Sequence, residues 1–456
     1  MITQIFYSLV LFPHIQYNKD IGDGYMLESL SEKEHGVIEW SFSLAGGGKE
    51  TIEFCYSENL HESIFWIKDW SLRSDDPLLE RKIILLLAEH QQKDFLFFQD
   101  KEFYDSIPFW VVLTITSKCN LFCNYCFNDY DYPLEGRNLR ENIGLEKYIN
   151  IVDILYTSGT RDIILTGWEP FSAPFFWELL AYIRDKGIFI RINTNGTLLT
   201  DKTLERLSEG FSLNIMVSMH EFNNKDYFDV NQLGARNFGG IEELKWFENK
   251  FASKVLQLKK IAKFPNLSLD FLTILRPKNI IYLEKLYEFV LSQFQIENWH
   301  FFRLYSTGTT QGISQTLIKM AIYKLSRLNK KYGTNFKFVD SVPFCAVKDL
   351  DIAAEVIDGE LSENHNVKTI ITTDGNIQIM SAFDSNLWSI FDHDLLSVWR
   401  GDFVQKMLKN GFLPKECNDC AYKETCRGWS RMDAHIFNDR YDAFDPLGNI
   451  AHKIRQ

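Results

Sequence analysis

Residues 115–129 read ITSKCNLFCNYCFND, and their reading decides the rest of the chain. Cys119, Cys123 and Cys126 fall in a C-x3-C-x2-C spacing, with Tyr125 just before the third cysteine. Three thiols this close can converge on one metal centre. Zinc sites more often pair C-x2-C with a second such pair or with histidines, and no histidine lies between Ser117 and Trp168. Four thiolates are the usual complement of a [4Fe–4S] cube, so a trio leaves one iron without a protein ligand. Spacing alone leaves zinc and iron–sulfur both open.

An apolar strand run at 109–115 leads directly into the cysteines. Further strand runs follow at 162–166, 188–193, 213–218, 267–274 and 299–304. Helical periodicity fills gaps between them at 145–156, 175–186, 241–262 and 280–294. Six short β/α units of this kind predict a parallel sheet, either a barrel or an open doubly wound sheet. In barrel-like sheets the chemistry gathers at the C-terminal ends of the strands. The cysteine loop follows the first strand and so belongs at that edge.

Four more strand ends carry polar motifs. Thr166-Gly167-Trp168-Glu169-Pro170 follows the second strand, Asn193-Thr194-Asn195-Gly196 the third, and Val217-Ser218-Met219-His220 the fourth. The sixth is followed by FFRLYSTG, residues 301–308, which contains Arg303. Each has a plain structural reading: a strand-to-loop turn, an Asn-Gly turn, a surface histidine, an arginine paired with an acid. Their order after the cysteine loop resembles the radical S-adenosylmethionine (radical SAM) enzymes. The resemblance implies a partial (β/α)6 barrel over about residues 108–310. It also implies a [4Fe–4S] cluster on Cys119, Cys123 and Cys126, with an open iron that binds SAM. GWEP matches the family's GGEP motif, whose backbone and carboxylate meet the methionine amino group; Trp168 replaces its second glycine. Gly167, Trp168, Glu169, Asn195, Ser218 and Arg303 are the cofactor-binding candidates on this basis, with Ser218 the best match for a ribose contact.

A second group of cysteines lies near the end of the chain. Cys417, Cys420 and Cys426 form C-x2-C-x5-C, with Cys345 upstream and a hairpin-like KTIITTDGNIQIM run between. This resembles a degenerate SPASM or Twitch domain, the auxiliary-cluster extension of peptide-modifying radical SAM enzymes. The next cysteine of that pattern is Ser430 here, and another falls near Met380. Four thiols are enough for one auxiliary [4Fe–4S] cluster; a zinc knuckle is the plain alternative.

Residues 1–107 read as an N-terminal α+β domain, and residues 311–456 as a helical linker with the SPASM/Twitch-like region. The N-terminal part offers strand runs at 4–12, 37–44 and 51–56, a glycine turn in AGGGKE, helix-like runs near 60–72 and 78–90, and a lone Cys55 read as a buried free thiol. Formal net charge is −12, which disfavours a nucleic-acid substrate. No apolar run suits a membrane span and no signal peptide is evident. Clustered cysteines without an export signal suggest metal in a reducing cytoplasm.

The resemblance implies reductive cleavage of SAM and hydrogen abstraction from a ribosomally made precursor peptide, forming a crosslink. A flavodoxin- or ferredoxin-type donor would supply the electron, and residues 1–107 would bind a leader peptide by strand addition. The alternatives are a sulfatase-maturase-like or cofactor-biosynthesis oxidoreductase, a nucleic-acid modifier, and a zinc- or cluster-binding interaction protein without catalysis.

Overall fold

A computed structural model describes five strands within residues 1–107 and, beyond them, residues 108–448 apart from 109, 122, 124, 127–142, 161, 211, 223–240, 297, 305–311, 340–341, 358–368, 380–387, 410 and 429. The chain divides into two compact units, residues 1–107 with 183–188 and residues 108–182 with 189–456. The first carries an antiparallel sheet of β1 (Lys19–Gly22), β2 (Tyr25–Glu34), β3 (Val37–Leu44), β4 (Lys49–Cys55) and β5 (Trp66–Ile67), in that order. β3 and β4 pair from Ser43↔Lys49 to Val37↔Cys55, on either side of the glycine run. The helix expected near 60–72 is corrected at its centre: Trp66 and Ile67 pair with Cys55 and Phe54 as a strand. Both residues suit a pleated edge, so pairing overrides the helical spacing. The runs at 4–12 and 78–90, and the Cys55 side chain, lie outside the described residues.

The second unit is built on one sheet of ten strands. β6 (Trp110–Thr114), β7 (Asp162–Thr166), β8 (Phe189–Thr194), β9 (Leu213–Ser218), β10 (Leu267–Leu275), β11 (Trp299–Arg303) and β12 (Lys337–Phe338) run parallel, each beside the next. The crossovers hold α1 (Leu145–Thr157), α2 (Phe176–Asp185), α3 (Asp201–Leu207), α4 (Ile241–Ile261), α5 (Pro277–Ile281) with α6 (Leu283–Gln293), and α7 (Gln315–Tyr332). The helix expected over 280–294 is therefore two helices, parted at Tyr282. Among the described residues the outer strands do not pair with each other, so the six β/α units form an open, partial barrel. Alternation explains its core. Val111, Leu113, Ile163, Leu165, Ile192, Ile215 and Val217 are fully buried, while the residues between them are mostly half-buried on the other face.

The C-terminal segment completes this sheet. β13 (Thr369–Ile371) pairs parallel with β6, and β14 (Asn376–Ile379) and β15 (Trp388–Ser389) follow antiparallel. The DG hairpin read from the sequence is the β13–β14 connection, where Gly375 takes φ +81°. The hairpin thus lies beside the strand that feeds the cysteine loop. Tyr148 of α1 ties the two together, its hydroxyl donating to Thr114 O at 3.0 Å and Thr373 O at 3.5 Å. Beyond it lie α8 (Leu350–Val356), α9 (Leu395–Trp399), α10 (Asp402–Leu408), α11 (Lys423–Cys426) and α12 (Arg431–Asn438), α8 preceding the hairpin in the chain. No helix of the described residues is long and apolar enough to cross a membrane.

Charge also joins the C-terminal segment to the barrel. Arg303, at the end of β11, is 3% exposed and pairs with Asp433 and Asp445, the latter at 3.2 Å. Both carboxylates are as buried as the guanidinium. Removing one partner from such a cluster leaves charge stranded away from water, at a cost of about 3–5 kcal/mol. Arg303→Met is expected to lower unfolding free energy by that order in urea titrations, while Asp445→Asn, which leaves Asp433 paired, costs less.

Candidate active site

The cysteine loop is anchored by backbone contact with the second strand end. Ile115 N donates to Thr166 O at 2.9 Å, Trp168 N to Thr116 O at 3.1 Å, and Glu169 N to Lys118 O at 3.0 Å. Gly167 makes this possible. It takes φ +141°, and a Cβ there would lie 2.5 Å from Thr116 O. The close approach that requires glycine is thus to the root of the cysteine loop. Trp168 is half-buried beside it.

Glu169 is fully buried. Its carboxylate accepts from Thr194 Oγ1 at 2.8 and 3.0 Å, from Asn195 N at 2.9 Å, and from Phe171 N at 3.3 Å. Burial pushes its pKa up to about 7, and these hydrogen bonds hold it below where burial alone would leave it. The carboxylate therefore ties the end of β7 to the end of β8.

Asn195 and Gly196 do form the expected Asn-Gly turn. Gly196 takes φ +77°, and Asn195 Oδ1 accepts from Thr197 N at 2.9 Å and Thr197 Oγ1 at 2.6 Å. The same side chain reaches the cysteine loop. Its Nδ2 donates to Asn120 Oδ1 at 2.9 Å and to Cys119 Sγ at 3.7 Å. Asn120 Nδ2 returns a bond to Thr197 Oγ1 at 2.8 Å. Leu121 N also donates to Cys119 Sγ, at 3.3 Å.

The three loop thiols are half-buried and electrostatically coupled. Burial pushes the Cys119 thiol up to about 12, with Glu169 and Cys126 adding to it. Burial does the same to Cys123, helped by Cys126 and Cys119. Such a trio keeps its protons unless a metal centre takes the negative charge. Soft thiol donors on one loop, with N–H donors already aimed at Cys119 Sγ, fit an iron–sulfur cluster. No three Cys, His, Asp or Glu side chains among the described residues converge closely enough to hold a single metal ion.

Beneath the loop lies a buried polar layer that the sequence reading missed. Tyr125 hydrogen-bonds Cys123. The Arg276 guanidinium lies 4.4 Å over the Tyr125 ring and pairs with Glu221 at 3.2 Å. The expectation that His220 could be a surface turn residue is corrected: it is 4% exposed and packs edge-on against Tyr125 at 5.2 Å. Its Nδ1 accepts from Ile274 N at 3.2 Å, and burial pushes its pKa well down, so the ring is neutral. Lys254, from α4, is 3% exposed. Its Nζ donates to Ser218 O at 2.5 Å, within the electrostatic reach of Glu221, Cys123 and Glu169. Burial pulls its pKa down while those anions oppose the shift. The helical period hid Lys254, because one lysine in a lysine-rich helix carries no local mark.

Arg303, at the C-terminal end of β11, pairs with Asp433 and Asp445. Cys345, Cys417, Cys420 and Cys426 line one pocket, with Phe344, Tyr422 and Phe444. Burial pushes the Cys426 thiol up, and Cys345 and Cys417 add to it. Ser430, where the pattern has a further cysteine, caps α12 instead, its Oγ accepting from Asp433 N at 3.0 Å. Met380 lies outside the described residues.

Residues 113–290 match the model of the Radical SAM superfamily. A tungsten-containing aldehyde ferredoxin oxidoreductase cofactor-modifying protein of Pyrococcus furiosus is 32% identical over 102 residues, 22% of this chain and 27% of that protein. The sporulation killing factor maturation protein SkfB of Bacillus subtilis is 28% identical over 137 residues, 30% of this chain and 31% of that one. The chain therefore aligns with less than a third of the length of either. In fold, SuiB of Streptococcus suis bound to precursor peptide SuiA superimposes with a TM-score of 0.57 at 15% identity, covering 81% of this chain and 87% of that one. The strand-end geometry around Cys119–Cys126 and the match over residues 113–290 together make this a chain with a radical SAM domain, a family that implies a [4Fe–4S] cluster and SAM.

Proposed function

We propose that the chain is a radical SAM peptide maturase, acting on a ribosomally made precursor peptide to form a crosslink. The observation that carries the radical SAM part is the three-thiol loop held against GWEP and Asn195. The peptide part rests on two relatives: the printed names of SkfB, a maturation protein, and SuiB, solved with a precursor peptide. A cofactor-modifying role is the second reading, favoured by the Pyrococcus relative.

In this reading Cys119, Cys123 and Cys126 would hold the [4Fe–4S] cluster, next to which SAM would bind. Bound together, they supply reductive cleavage of the sulfonium and hydrogen-atom abstraction from an unactivated carbon. The protein supplies position and exclusion of water. Asn195 holds Cys119 Sγ, and Tyr125 holds Cys123, so two of the three ligands arrive oriented. Lys254 places a buried cation behind Ser218, which would offer a counter-charge to an anionic group of SAM. Gly167 and Trp168 form the wall beside it. Glu169 acts on the bound methionine group only by exchanging one of its present partners, and serves first to fix β8. Arg303, in this reading, braces the C-terminal segment. Cys345, Cys417, Cys420 and Cys426 would hold one auxiliary [4Fe–4S] cluster; their shared pocket supports counting Cys345 with the other three. A low-potential flavodoxin- or ferredoxin-type donor supplies the electron. Residues 1–107 present an antiparallel sheet to which a leader peptide adds a strand. The reaction belongs in the cytoplasm, where such clusters survive.

Two outcomes test this. With anaerobically reconstituted protein and dithionite, wild type is expected to release 5′-deoxyadenosine from SAM, and Cys119→Ala/Cys123→Ala/Cys126→Ala to release none while keeping the iron of the C-terminal pocket. Unchanged release from the triple variant would falsify the assignment. The second concerns Glu169. Its folded pKa of about 7 lies above the ordinary 4.5, so the folded state binds its proton more tightly. Its contribution to stability is full below pH 4.5 and lost as pH rises to 7. In iron-free protein, Glu169→Gln is expected to remove about 3 kcal/mol of that pH dependence, read from denaturant midpoints at pH 5 and pH 8.

A further inference from the structure

The C-terminal cysteine pocket has a buried cation beside it that the site described above does not use. Arg431, the first residue of α12, is 3% exposed. Its Nη1 donates to the carbonyls of Phe412, Tyr441 and Ala443 at 3.2, 2.8 and 2.8 Å, and its Nη2 to Gly428 O. These acceptors are uncharged, so the guanidinium is fixed in place without being neutralised by its own hydrogen bonds. Gly428 links it to the thiols. It lines the pocket with Cys345, Cys417, Cys420 and Cys426. It takes φ +72°, and a Cβ there would lie 2.5 Å from Pro414 Cδ and 3.2 Å from Arg431 Nη2. Its N–H donates to Cys426 Sγ, as does that of Phe344. Pro414 O accepts from Cys417 N at 2.8 Å. One glycine thus carries a bond to Arg431 on its carbonyl and a bond to a thiol on its amide.

Charge runs toward the same place. Asp433, Arg303, Asp445 and Arg431 alternate in sign, and each is 3% exposed or less. Arg303 pairs with both carboxylates. Asp445 follows Phe444, which lines the pocket, and lies within the electrostatic reach of Arg431. Arg431 in turn is felt by Cys417 and Cys426. Burial pulls its pKa down while Asp445, Cys417 and Cys426 oppose the shift, and a guanidinium keeps its proton all the same. The series therefore ends with its positive member against the thiols. Four thiolates on iron carry net negative charge, and reduction adds one more. Holding such charge away from water is costly unless a counter-charge is buried with it, and charge near a cluster sets how readily it takes an electron.

We propose that Arg431 is the counter-ion and positioning residue of this pocket: its guanidinium fixes Gly428 against Cys426 and favours an anionic, thiolate-held iron centre, above all in its reduced state. The proposal rests on the reading of the four C-terminal cysteines as one cluster site, and it names the residue that sets the potential there.

Two substitutions of opposite sign test it without needing the reaction. The full-length Cys119→Ala/Cys123→Ala/Cys126→Ala protein, reconstituted anaerobically with iron and sulfide, confines iron to the C-terminal pocket. Its reduction is followed by electron paramagnetic resonance in a redox titration. Adding Arg431→Gln is expected to disfavour reduction at least tenfold, a fall in midpoint potential of about 59 mV for one electron, and to speed loss of iron to a chelator. Adding Asp445→Asn, which removes the anion beside Arg431, is expected to raise the potential. Arg431→Lys keeps the charge but not the planar fork, and is expected to stay closer to the parent than Arg431→Gln. Both Arg431→Gln and Asp445→Asn take away buried bonds, so a merely structural role moves them the same way; a charge acting on the iron centre moves them apart. If Arg431→Gln does not fold, the rise in Asp445→Asn carries the comparison. Unchanged potentials, or shifts of one sign, overturn the proposal and leave the cluster reading standing. A parent protein that takes up no iron sinks the cluster reading and the proposal with it.

Discussion

Two strand ends touch backbone to backbone at Thr116 and Gly167, and the site depends on that contact. Thr116 O lies where a Cβ of residue 167 would be, 2.5 Å from its ideal position. Only glycine permits the approach, and it takes a φ that other residues rarely adopt. From it follow the bonds of Trp168 N to Thr116 O and Glu169 N to Lys118 O, which set where the cysteine loop begins. The chemistry-bearing segment is thus positioned by main chain rather than by its own side chains.

Glu169 carries that order to the next strand. A carboxylate with no solvent exposure is costly unless hydrogen-bonded, and Thr194, Asn195 and Phe171 meet the need. Asn195 then passes the register back to Cys119 and Asn120. The result is a closed circuit of β6, β7 and β8 ends. Tyr125 of the cysteine loop, with His220, Glu221, Arg276 and Lys254 from the ends of β9 and β10 and from α4, forms the layer beneath. In this layer two cations face one carboxylate, beside the charge that three thiols would carry as metal ligands.

The C-terminal segment is joined to the same sheet by hydrogen bonds and by charge. β13 extends the parallel sheet past β6, and Arg303 pairs with Asp433 and Asp445. Arg431 adds a third tie within that segment, its guanidinium donating to the carbonyls of Phe412, Tyr441, Ala443 and Gly428. The pocket lined by the four C-terminal cysteines therefore rests on a frame that is continuous with the barrel.

The order of strands and helices, the thiol trio and the polar strand ends were legible from residues 109–304, because buried parallel strands and amphipathic helices impose their periods on the sequence. Strands 162–166 and 213–218 agree with β7 and β9 at both ends. Local spacing could not say which side chains meet. That Glu169 turns inward, that Arg303 bonds to Asp433 and Asp445 over more than a hundred residues of chain, and that Lys254 reaches Ser218 are all consequences of packing. Nor could it show Cys345 lining a pocket with Cys417, Cys420 and Cys426. Periodicity is a property of neighbours along the chain, whereas a buried charge finds its partner only when the fold has removed water from around both.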